Sequence, residues 1–266
     1  MKALPEEYEN RSAQELCAKY GRVSFAMDDS DIAVIYMHDV AGENVFSHAF
    51  VAAFLTVLDA VEEIQPRVLI LRGLTSTFSG GADKESLMEL AGGKLVVRDL
   101  LISERLIACR FPIISAMEGH AMGGGFVIAL CSDIIIAALE SRYGTVFMNM
   151  GFTPGMGTTT LLREAVGPYV ANEMMLSGKR YRGRELALKN TNINYIIPRS
   201  EVLARARDIA LQIAEKNPKS VQLLKYSLSA AKKKLLIDAR LQEDMMHSIS
   251  FAYPETKRII NDLYAG

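Results

Sequence analysis

The 266-residue chain is 50% hydrophobic and 23% charged, which is the composition of an ordinary globular protein. Its formal net charge of −1 gives no overall attraction to nucleic acid or to an anionic membrane surface, and its apolar runs are too short to cross a bilayer. The N-terminus is acidic and polar, unlike a signal peptide, so the sequence predicts a cytoplasmic protein with no nucleic-acid or membrane partner.

Strand and helix patterns alternate along the first half of the chain. Residues 1–21 are polar and are expected to be loosely ordered. The apolar and turn patterns that follow predict, in order, two short strands at 23–39, a helix at 45–64 ended by Pro66, a strand at 67–73, a glycine loop and helix at 75–90, and an amphipathic helix at 96–110 ended by Pro112. Such alternation is typical of an α/β fold.

The alternation continues beyond Pro112. The pattern predicts a strand at 113–119, a glycine run at 120–126, a strand at 132–139, a short strand beside it at 141–147, and a turn and helix at 153–167. From about Glu201 the period is helical throughout. We therefore expect a core at 1–200 and a C-terminal helical region at 201–266.

Two glycine loops, "FSGGAD" at Phe78–Asp83 and "HAMGGGF" at His120–Phe126, each join a predicted strand to a predicted helix. The first N–H groups of a helix have no intrahelical acceptor and carry partial positive charge, and glycines let a ligand approach them closely. Taken singly, each loop is more simply explained as a tight turn, and neither has the spacing of a nucleotide-phosphate loop. Two such loops facing each other would form an oxyanion hole.

Three motifs, "TFSGGAD", "ISAMEGHAMGGGFVIALCSDIIIA" and "GFTPGMGTTTLL", resemble in order and spacing those of the crotonase (enoyl-CoA hydratase/isomerase) family. The resemblance runs from about Val23 to the C-terminus. It implies an α/β crotonase-like spiral of ββα turns with a C-terminal helical region used in trimer contacts. It also implies that the backbone N–H groups of Ala82 and Gly124 hold a thioester carbonyl while it becomes an enolate.

The two glutamates with which hydratases of this family activate and protonate water are missing. By the same resemblance their positions fall on Val127 and Phe147. Neither side chain can donate or accept a proton. Hydration and dehydration are therefore not expected, although the oxyanion hole is retained.

Lys84 and His247 are the titratable residues that could replace the glutamates. Lys84 directly follows "GGAD", and His247 lies in "EDMMHSISF" on the final helices; a solvated lysine and a structural helix histidine are the alternative explanations. The segment "YGTVFMNMGFTPGMGTT" and the "MMH" helix most resemble the decarboxylases of polyketide β-branching cassettes, which act on 3-methylglutaconyl groups tethered to an acyl carrier protein. In that chemistry the oxyanion hole stabilises a dienolate, Lys84 holds the departing carboxylate, and His247, titrating near neutral pH, supplies the proton.

No metal or organic cofactor is expected, because the conjugated thioester is itself the electron sink, and three cysteines without CxxC spacing give no zinc site. The substrate is expected on the phosphopantetheine of an acyl carrier protein, with CoA thioesters as further substrates. Lys225 stands where the family often places a phosphate-contacting lysine, and Lys232–Lys234 is either a solvated face or a further contact. The resemblance implies a homotrimer or a dimer of trimers.

Two other functions stay open at the level of sequence. An enoyl-thioester isomerase would use the same oxyanion hole and His247 without needing a substrate carboxylate. A non-catalytic crotonase-like protein would bind RNA or a partner, although the near-neutral charge and the intact glycine loops speak against it. The sequence also leaves open whether the product double bond is α,β or β,γ.

Overall fold

In the middle of the chain, successive strands alternate between two sheets. The computed structural model describes residues 12–264, apart from the side chains of residues 98 and 99. The larger sheet contains, in spatial order, β1 (Val23–Met27), β2 (Ile32–Met37), β3 (Val68–Arg72), β5 (Ile113–Met117), β7 (Ile134–Ala138) and β10 (Tyr195–Ile197). The smaller sheet contains, in order, β4 (Thr77–Ser79), β6 (His120–Met122), β8 (Arg142–Gly144) and β9 (Tyr181–Arg182).

The middle of the chain winds as a spiral. β3, β5 and β7 are parallel neighbours in the larger sheet, and β4, β6 and β8 are parallel neighbours in the smaller one. Each turn of the spiral therefore gives one strand to each sheet. β1 and β2, the two short strands predicted at 23–39, form an antiparallel hairpin at the edge of the larger sheet. This order confirms the expected α/β spiral of ββα turns.

The larger sheet is buried on both faces, because alternate residues of its strands pack into two different clusters. Leu69 faces a cluster that includes α2 (His48–Ile64), whereas Ile70 faces a cluster that includes α9 (Arg199–Ala214). Burial on both faces explains why the central strands read as continuous apolar runs.

The remaining helices lie between the strands or follow them. They are α1 (Ala13–Tyr20), α3 (Lys84–Ala91), α4 (Ile102–Ala108), α5 (Gly124–Cys131), α6 (Thr158–Val166), α7 (Pro168–Ser177), α8 (Gly183–Ala187), α10 (Pro218–Ser250) and α11 (Pro254–Leu263), with 3-10 helices at Val97–Leu100 and Val146–Met150. The expectation of loose order at 1–21 does not hold for α1, which Ser12 and Glu15 cap reciprocally. Residues 1–11 lie outside the described residues.

Two predicted elements differ from the structure. The helix predicted at 96–110 is divided into a 3-10 helix and α4, because Leu101 between them has a positive φ of 56°. The strand predicted at 141–147 ends at Gly144 and pairs with β6 in the smaller sheet, so it does not lie beside β7. Apolar periodicity reports neither the conformation of a single residue nor the sheet that a strand joins.

The C-terminal helices pack against the spiral. α9 begins at Arg199, close to the predicted division between 1–200 and 201–266, and its Ala206 packs on the larger sheet. α10 is 33 residues long and lies against α4 and α6. Within residues 12–264 no helix is long and apolar enough to cross a membrane. In the same part of the chain no group of histidine, cysteine and carboxylate side chains is arranged to hold a metal ion.

Candidate active site

The first glycine loop follows β4 and leads into α3. Gly81 has a φ of +86°, and a Cβ there would lie 2.7 Å from the Met122 carbonyl oxygen, so only glycine fits. The Gly81 carbonyl accepts a hydrogen bond from the Phe46 N–H at 2.6 Å. Because a trans peptide directs its N–H opposite to its C=O, this bond aims the Ala82 N–H away from Phe46. Among the described residues no acceptor takes that N–H.

The second loop joins β6 to α5. Gly123 has a φ of +53°, which L side chains rarely adopt, and its carbonyl accepts the first hydrogen bonds of α5 from Phe126 and Val127. Gly124 is the first residue of α5, so its N–H is one of the helix-start donors that have no intrahelical acceptor. It lies at the end of the helix where partial positive charge is concentrated.

The structure brings the two loops together. The position that a Cβ of Gly81 would take lies 3.5 Å from the Gly124 nitrogen, and a Cβ on Gly125 would lie 2.4 Å from the Ser79 carbonyl oxygen at the end of β4. Such close backbone approach needs residues without side chains. The backbone segments that carry the N–H groups of Ala82 and Gly124 therefore lie close together, which an oxyanion hole built from these two donors requires.

Apolar side chains occupy the positions where the family resemblance places the hydratase glutamates. Val127 is fully buried in α5. The Phe147 ring lies beside Gly123, with its Cε1 atom 3.6 Å from the position of a Cβ on that glycine, and its centroid is 5.8 Å from that of Phe152. Neither residue moves a proton, so neither position can activate water.

The "TPGMG" turn connects His247 to the second loop. The His247 Nε2–H donates to the Thr153 carbonyl at 2.7 Å. A Cβ on Gly155 would lie 2.3 Å from the His247 Cε1 atom, and the Met156 sulfur lies 2.9 Å from the position of a Cβ on Gly124. Consecutive residues of one turn thus contact the histidine and the second glycine loop, called the oxyanion loop below. This brings His247 and Gly124 into one region.

His247 is buried, and its surroundings favour the neutral imidazole. Burial lowers the pKa of His247, against smaller raising effects of the Thr153 hydrogen bond and of the Asp244 charge. A carbonyl only accepts, so Nε2 carries the proton of the neutral ring and Nδ1 is left as an acceptor. Phe152 and Phe251 pack on the ring with centroids 6.2 and 5.4 Å away. In the free protein the lowered pKa of His247 therefore favours the neutral ring at neutral pH.

A cavity of about 500 Å³ lies beside His247. Its lining is mostly apolar and comes from the end of α3, the loop that follows it and one face of α10, with Leu90 and Phe251 among the lining residues. Lys84 does not line this cavity. Lys84 is the first residue of α3, seven positions before Ala91, which lines the cavity. At a rise of about 1.5 Å per residue, Lys84 lies about 10 Å from Ala91 along the helix axis.

Lys84 lies in the first turn of α3, directly beyond the first glycine loop. Asp83 caps this helix by accepting from the Ser86 N–H at 2.9 Å, and its negative charge offsets the unfavourable placement of a lysine at this end of the helix dipole. The Tyr264 hydroxyl, just beyond α11, donates to the Ala82 carbonyl at 3.0 Å. The half-buried Lys84 forms no ion pair with a described residue, so its charge is available to a substrate anion near the first loop.

Lys225 lies at the other end of α5 from the oxyanion loop. Its ammonium is 2.7 and 2.8 Å from the two carboxylate oxygens of Asp133, and its side chain is only 3% exposed. Lys232 donates to the Leu130 carbonyl at 3.3 Å and to that of Ser132, so it caps the C-terminus of α5. Because α5 spans about 12 Å, the structure does not bring Lys225 to the glycine loops. A phosphate would have to displace Asp133 from this lysine.

Glu243 is a buried residue that the sequence pattern does not single out. Its carboxylate accepts from the Gly157 N–H at 2.7 Å and from the Thr159 N–H and hydroxyl, both at 2.8 Å, which caps the N-terminus of α6. Burial raises its pKa, and these hydrogen bonds oppose the rise. Its spacing of four from His247 puts both residues on one face of α10, and that spacing is the signal that could have identified it.

Comparisons with known proteins give the family of the chain. The bacillaene synthase decarboxylase PksI of Bacillus subtilis is 34% identical over 239 residues, which cover 90% of this chain and 96% of that protein. The ECH2 decarboxylase domain of CurF from Lyngbya majuscula is 34% identical, with a TM-score of 0.85 over 91% of this chain and 99% of that domain. A structure from a dehydratase/decarboxylase enzyme couple involved in polyketide β-branching is 33% identical, with a TM-score of 0.88 over 92% and 96%. The enoyl-CoA hydratase/isomerase family model matches residues 28–262, and the chain belongs to that family.

Proposed function

We propose that the protein is a cofactor-independent decarboxylase of a 3-methylglutaconyl thioester on an acyl carrier protein, and that it forms a 3-methylcrotonyl-type thioester. The observation that carries this proposal is the pair of N–H donors at Ala82 and Gly124, set beside Phe147 and Val127 instead of glutamates. Relatives that are 33–34% identical and are named as decarboxylases, in bacillaene synthase and in polyketide β-branching, support the same class of reaction.

The proposed reaction breaks the bond between the carboxylate carbon and the γ-carbon of the glutaconyl group. The electron pair of that bond passes through the conjugated double bond to the thioester oxygen, and CO₂ leaves. The oxygen of the resulting dienolate accepts from the Ala82 and Gly124 N–H groups; loss of one such donor typically costs about 10²–10³ in rate. One proton added to carbon completes the reaction for each CO₂ released.

Lys84 is proposed to act on the carboxylate that leaves, and His247 on the carbon that is protonated afterwards. Lys84 holds the departing carboxylate as an ion pair near the first loop. His247 is neutral in the free protein, and a bound anionic substrate raises the pKa of its imidazole because a nearby negative charge favours the protonated form. The added proton lies on Nδ1, the nitrogen that does not donate to Thr153, and passes from there to carbon before solvent replaces it.

The proposal includes assembly and partners. Copies of the chain form a homotrimer or a dimer of trimers through α10, whose outer face exposes large apolar side chains such as Leu223, Tyr226, Leu241 and Met245. The carrier protein is the macromolecular partner, and CoA thioesters are accepted as analogues. The reaction takes place in the cytoplasm.

The test gives the purified protein three thioesters on a holo carrier protein: 3-methylglutaconyl, 3-methylcrotonyl and crotonyl. We expect CO₂ release from the first and no hydration of the third, because Val127 and Phe147 cannot activate water. CO₂ release and product mass are measured together. Isomerisation of the carboxylate-free thioester without CO₂ release from the first would make the protein an isomerase, and hydration at ordinary hydratase rates would contradict the proposal.

A further inference from the structure

An exposed group of arginines lies on the outer face of the smaller sheet. Arg142 in β8 and Arg182 in β9 are direct antiparallel partners, so their side chains stand side by side on one face. His120 in β6 is the next neighbour, since its Nδ1 accepts the Arg142 N–H at 2.9 Å. Arg180 joins them, because its Cγ atom lies 3.0 Å from the position of a Cβ on Gly144. Arg142, Arg180 and Arg182 are called the arginine face below.

The guanidinium groups of the arginine face are not paired with carboxylates in the described part of the chain. All three side chains are exposed, and none forms an ion pair within residues 12–264. Glu185 accepts from the Arg182 backbone N–H and does not bond its guanidinium. Like charges directly opposite each other on two strands are destabilising. The chain therefore keeps a positive charge here that its own folding does not need.

The charge of this surface also acts on His120. Burial lowers the pKa of His120 most, Arg199, Arg142 and Arg180 lower it further, and Glu43 acts in the opposite direction. Two members of the arginine face, Arg142 and Arg180, thus lie close enough to His120 to act on it. The third, Arg182, is the cross-strand partner of Arg142, so the three arginines are neighbours on this surface.

The arginine face lies close to the oxyanion loops. β6 runs from His120 directly into Gly123, and Gly144 at the end of β8 accepts the Gly123 N–H at 2.8 Å. Two residues of a strand span about 7 Å, so Arg142 lies about that far from Gly144. A protein docked on this surface is near enough to the oxyanion hole for a flexible pantetheine arm to reach it.

We propose that the arginine face is the docking surface for an acidic carrier protein that delivers the substrate. This inference rests on the proposed function, which takes the substrate to be carrier-bound. A carrier protein supplies the carboxylates that the surface lacks, together with the phosphodiester of its prosthetic group, and guanidinium groups bind both in bidentate geometry. Complementary charges of this kind mainly speed association and set orientation.

The experiment compares two variants with the wild type: the double variant Arg142→Ser/Arg182→Ser and the single variant Arg180→Glu. Each protein is given the same acyl group in two forms, carried by the holo carrier protein or by free pantetheine. The carrier-bound substrate is expected to lose about tenfold in kcat/KM, mostly through KM, and to become less sensitive to salt. The rate with the pantetheine substrate is expected to stay within about twofold of wild type. Arg110→Glu changes an exposed arginine without an ion pair within residues 12–264, and this matched control is expected to alter neither substrate's kinetics.

Unchanged kinetics with the carrier-bound substrate would overturn the docking surface, and so would an equal loss with the pantetheine substrate. Binding of carrier protein that lacks the acyl group is also measured by titration. This binding does not depend on catalysis, so it distinguishes failure of the docking surface from failure of the proposed function. If the wild type releases CO₂ from neither substrate, the proposed function is overturned. If the variants bind the carrier protein as tightly as the wild type does, the docking surface is overturned. Duplex RNA binding as tight as carrier binding, and lost in the same variants, would also overturn it.

Discussion

At the scale of single residues, the candidate oxyanion donors are peptide N–H groups. Ala82 follows a left-handed glycine and Gly124 begins a helix, and neither N–H has an acceptor in the described structure. Each of these peptide groups is held by hydrogen bonds to its carbonyl, on Gly81 and Gly123 respectively. Donors fixed in this way need no reorganisation when negative charge develops.

Replacing Gly124 tests the second donor. Proline is tolerated at the first position of a helix but removes the N–H, so Gly124→Pro is expected to lower the decarboxylation rate by at least about 10²-fold. Gly124→Ala keeps the N–H but adds a Cβ that would lie 2.6 Å from the Phe46 ring, so it reports the steric effect alone. Rates and thermal unfolding of both variants are measured. A folded proline variant no slower than the alanine variant would mean that the loop is only a turn.

Lys84 is expected to matter through the substrate carboxylate. Lys84→Ala leaves that carboxylate without the cation that holds and orients it, so CO₂ release should fall by about 10²-fold. Lys84→Arg keeps the charge and should recover part of the rate. Binding of the carboxylate-free 3-methylcrotonyl thioester should be the same in all three proteins. Wild-type CO₂ release by Lys84→Ala would remove this residue from the mechanism.

His247 is expected to act after CO₂ has left. His247→Ala should retain part of the CO₂ release but protonate the dienolate slowly or at the wrong carbon. His247→Gln offers an amide N–H to Thr153 yet cannot supply an acidic proton, so it separates positioning from proton delivery. Solvent-deuterium incorporation and the position of the product double bond are read by NMR. Wild-type isotope content and a single wild-type isomer from both variants would show that another group delivers the proton.

At the scale of elements, α10 holds the active-site turn from outside. Glu243, His247 and Ser250 are spaced by four and three residues, so they share one helix face. Glu243 bonds the start of α6, His247 donates to Thr153, and the Ser250 hydroxyl accepts from the Thr153 N–H at 3.3 Å. The same turn contacts Gly124 through Met156. We therefore expect a change on this face of α10 to affect the second glycine loop.

Glu243→Ala is expected to lower the free energy of unfolding by about 2–4 kcal/mol, because two buried N–H groups at the start of α6 lose their acceptor. The decarboxylation rate should fall with it. Asp238→Ala, an exposed acidic residue of the same helix, is the control and should change stability by less than about 0.5 kcal/mol. Urea unfolding measures both variants. Equal stability of the two would show that the carboxylate cap is dispensable.

At the scale of the whole molecule, the two faces of α10 have different partners. The inner face bonds the active-site turn, and the outer face exposes an apolar row that includes Leu223, Leu241 and Met245. Exposed apolar patches of this kind indicate protein–protein contact. Assembly through the outer face would therefore support the site from behind.

Leu241→Glu is expected to separate the assembly into monomers, because a charge in an apolar contact is costly to bury. Leu188→Glu is the matched control: this leucine, just beyond α8, is 85% exposed, and the change should leave the mass of the assembly unaltered. Light scattering during size-exclusion chromatography gives both masses. Equal masses of the Leu241→Glu variant and the wild type would place the subunit contact elsewhere.

Local patterns in the sequence were sufficient for most of the elements and for the family. Alternating apolar residues around the Asp-Asp-Ser-Asp turn predict the hairpin of β1 and β2, and the apolar stripe before Pro66 predicts α2. The order of the glycine motifs along the chain was enough to indicate the enoyl-CoA hydratase/isomerase family and its spiral. The elements depend on residues a few positions apart, and the family resemblance depends on motifs read in order along the chain. Neither needs a tertiary contact, which is why the sequence alone determined them.

Only the tertiary structure decided which distant side chains meet and what their surroundings do to them. Lys225 and Asp133 are 92 positions apart and pair at the far end of α5 from the oxyanion loop. His247 and Thr153 are 94 positions apart, and burial around the ring lowers the pKa of the histidine. No local period encodes a contact over such a separation. Desolvation depends on every atom packed around a group, so the protonation state of that group is set only once the chain has folded.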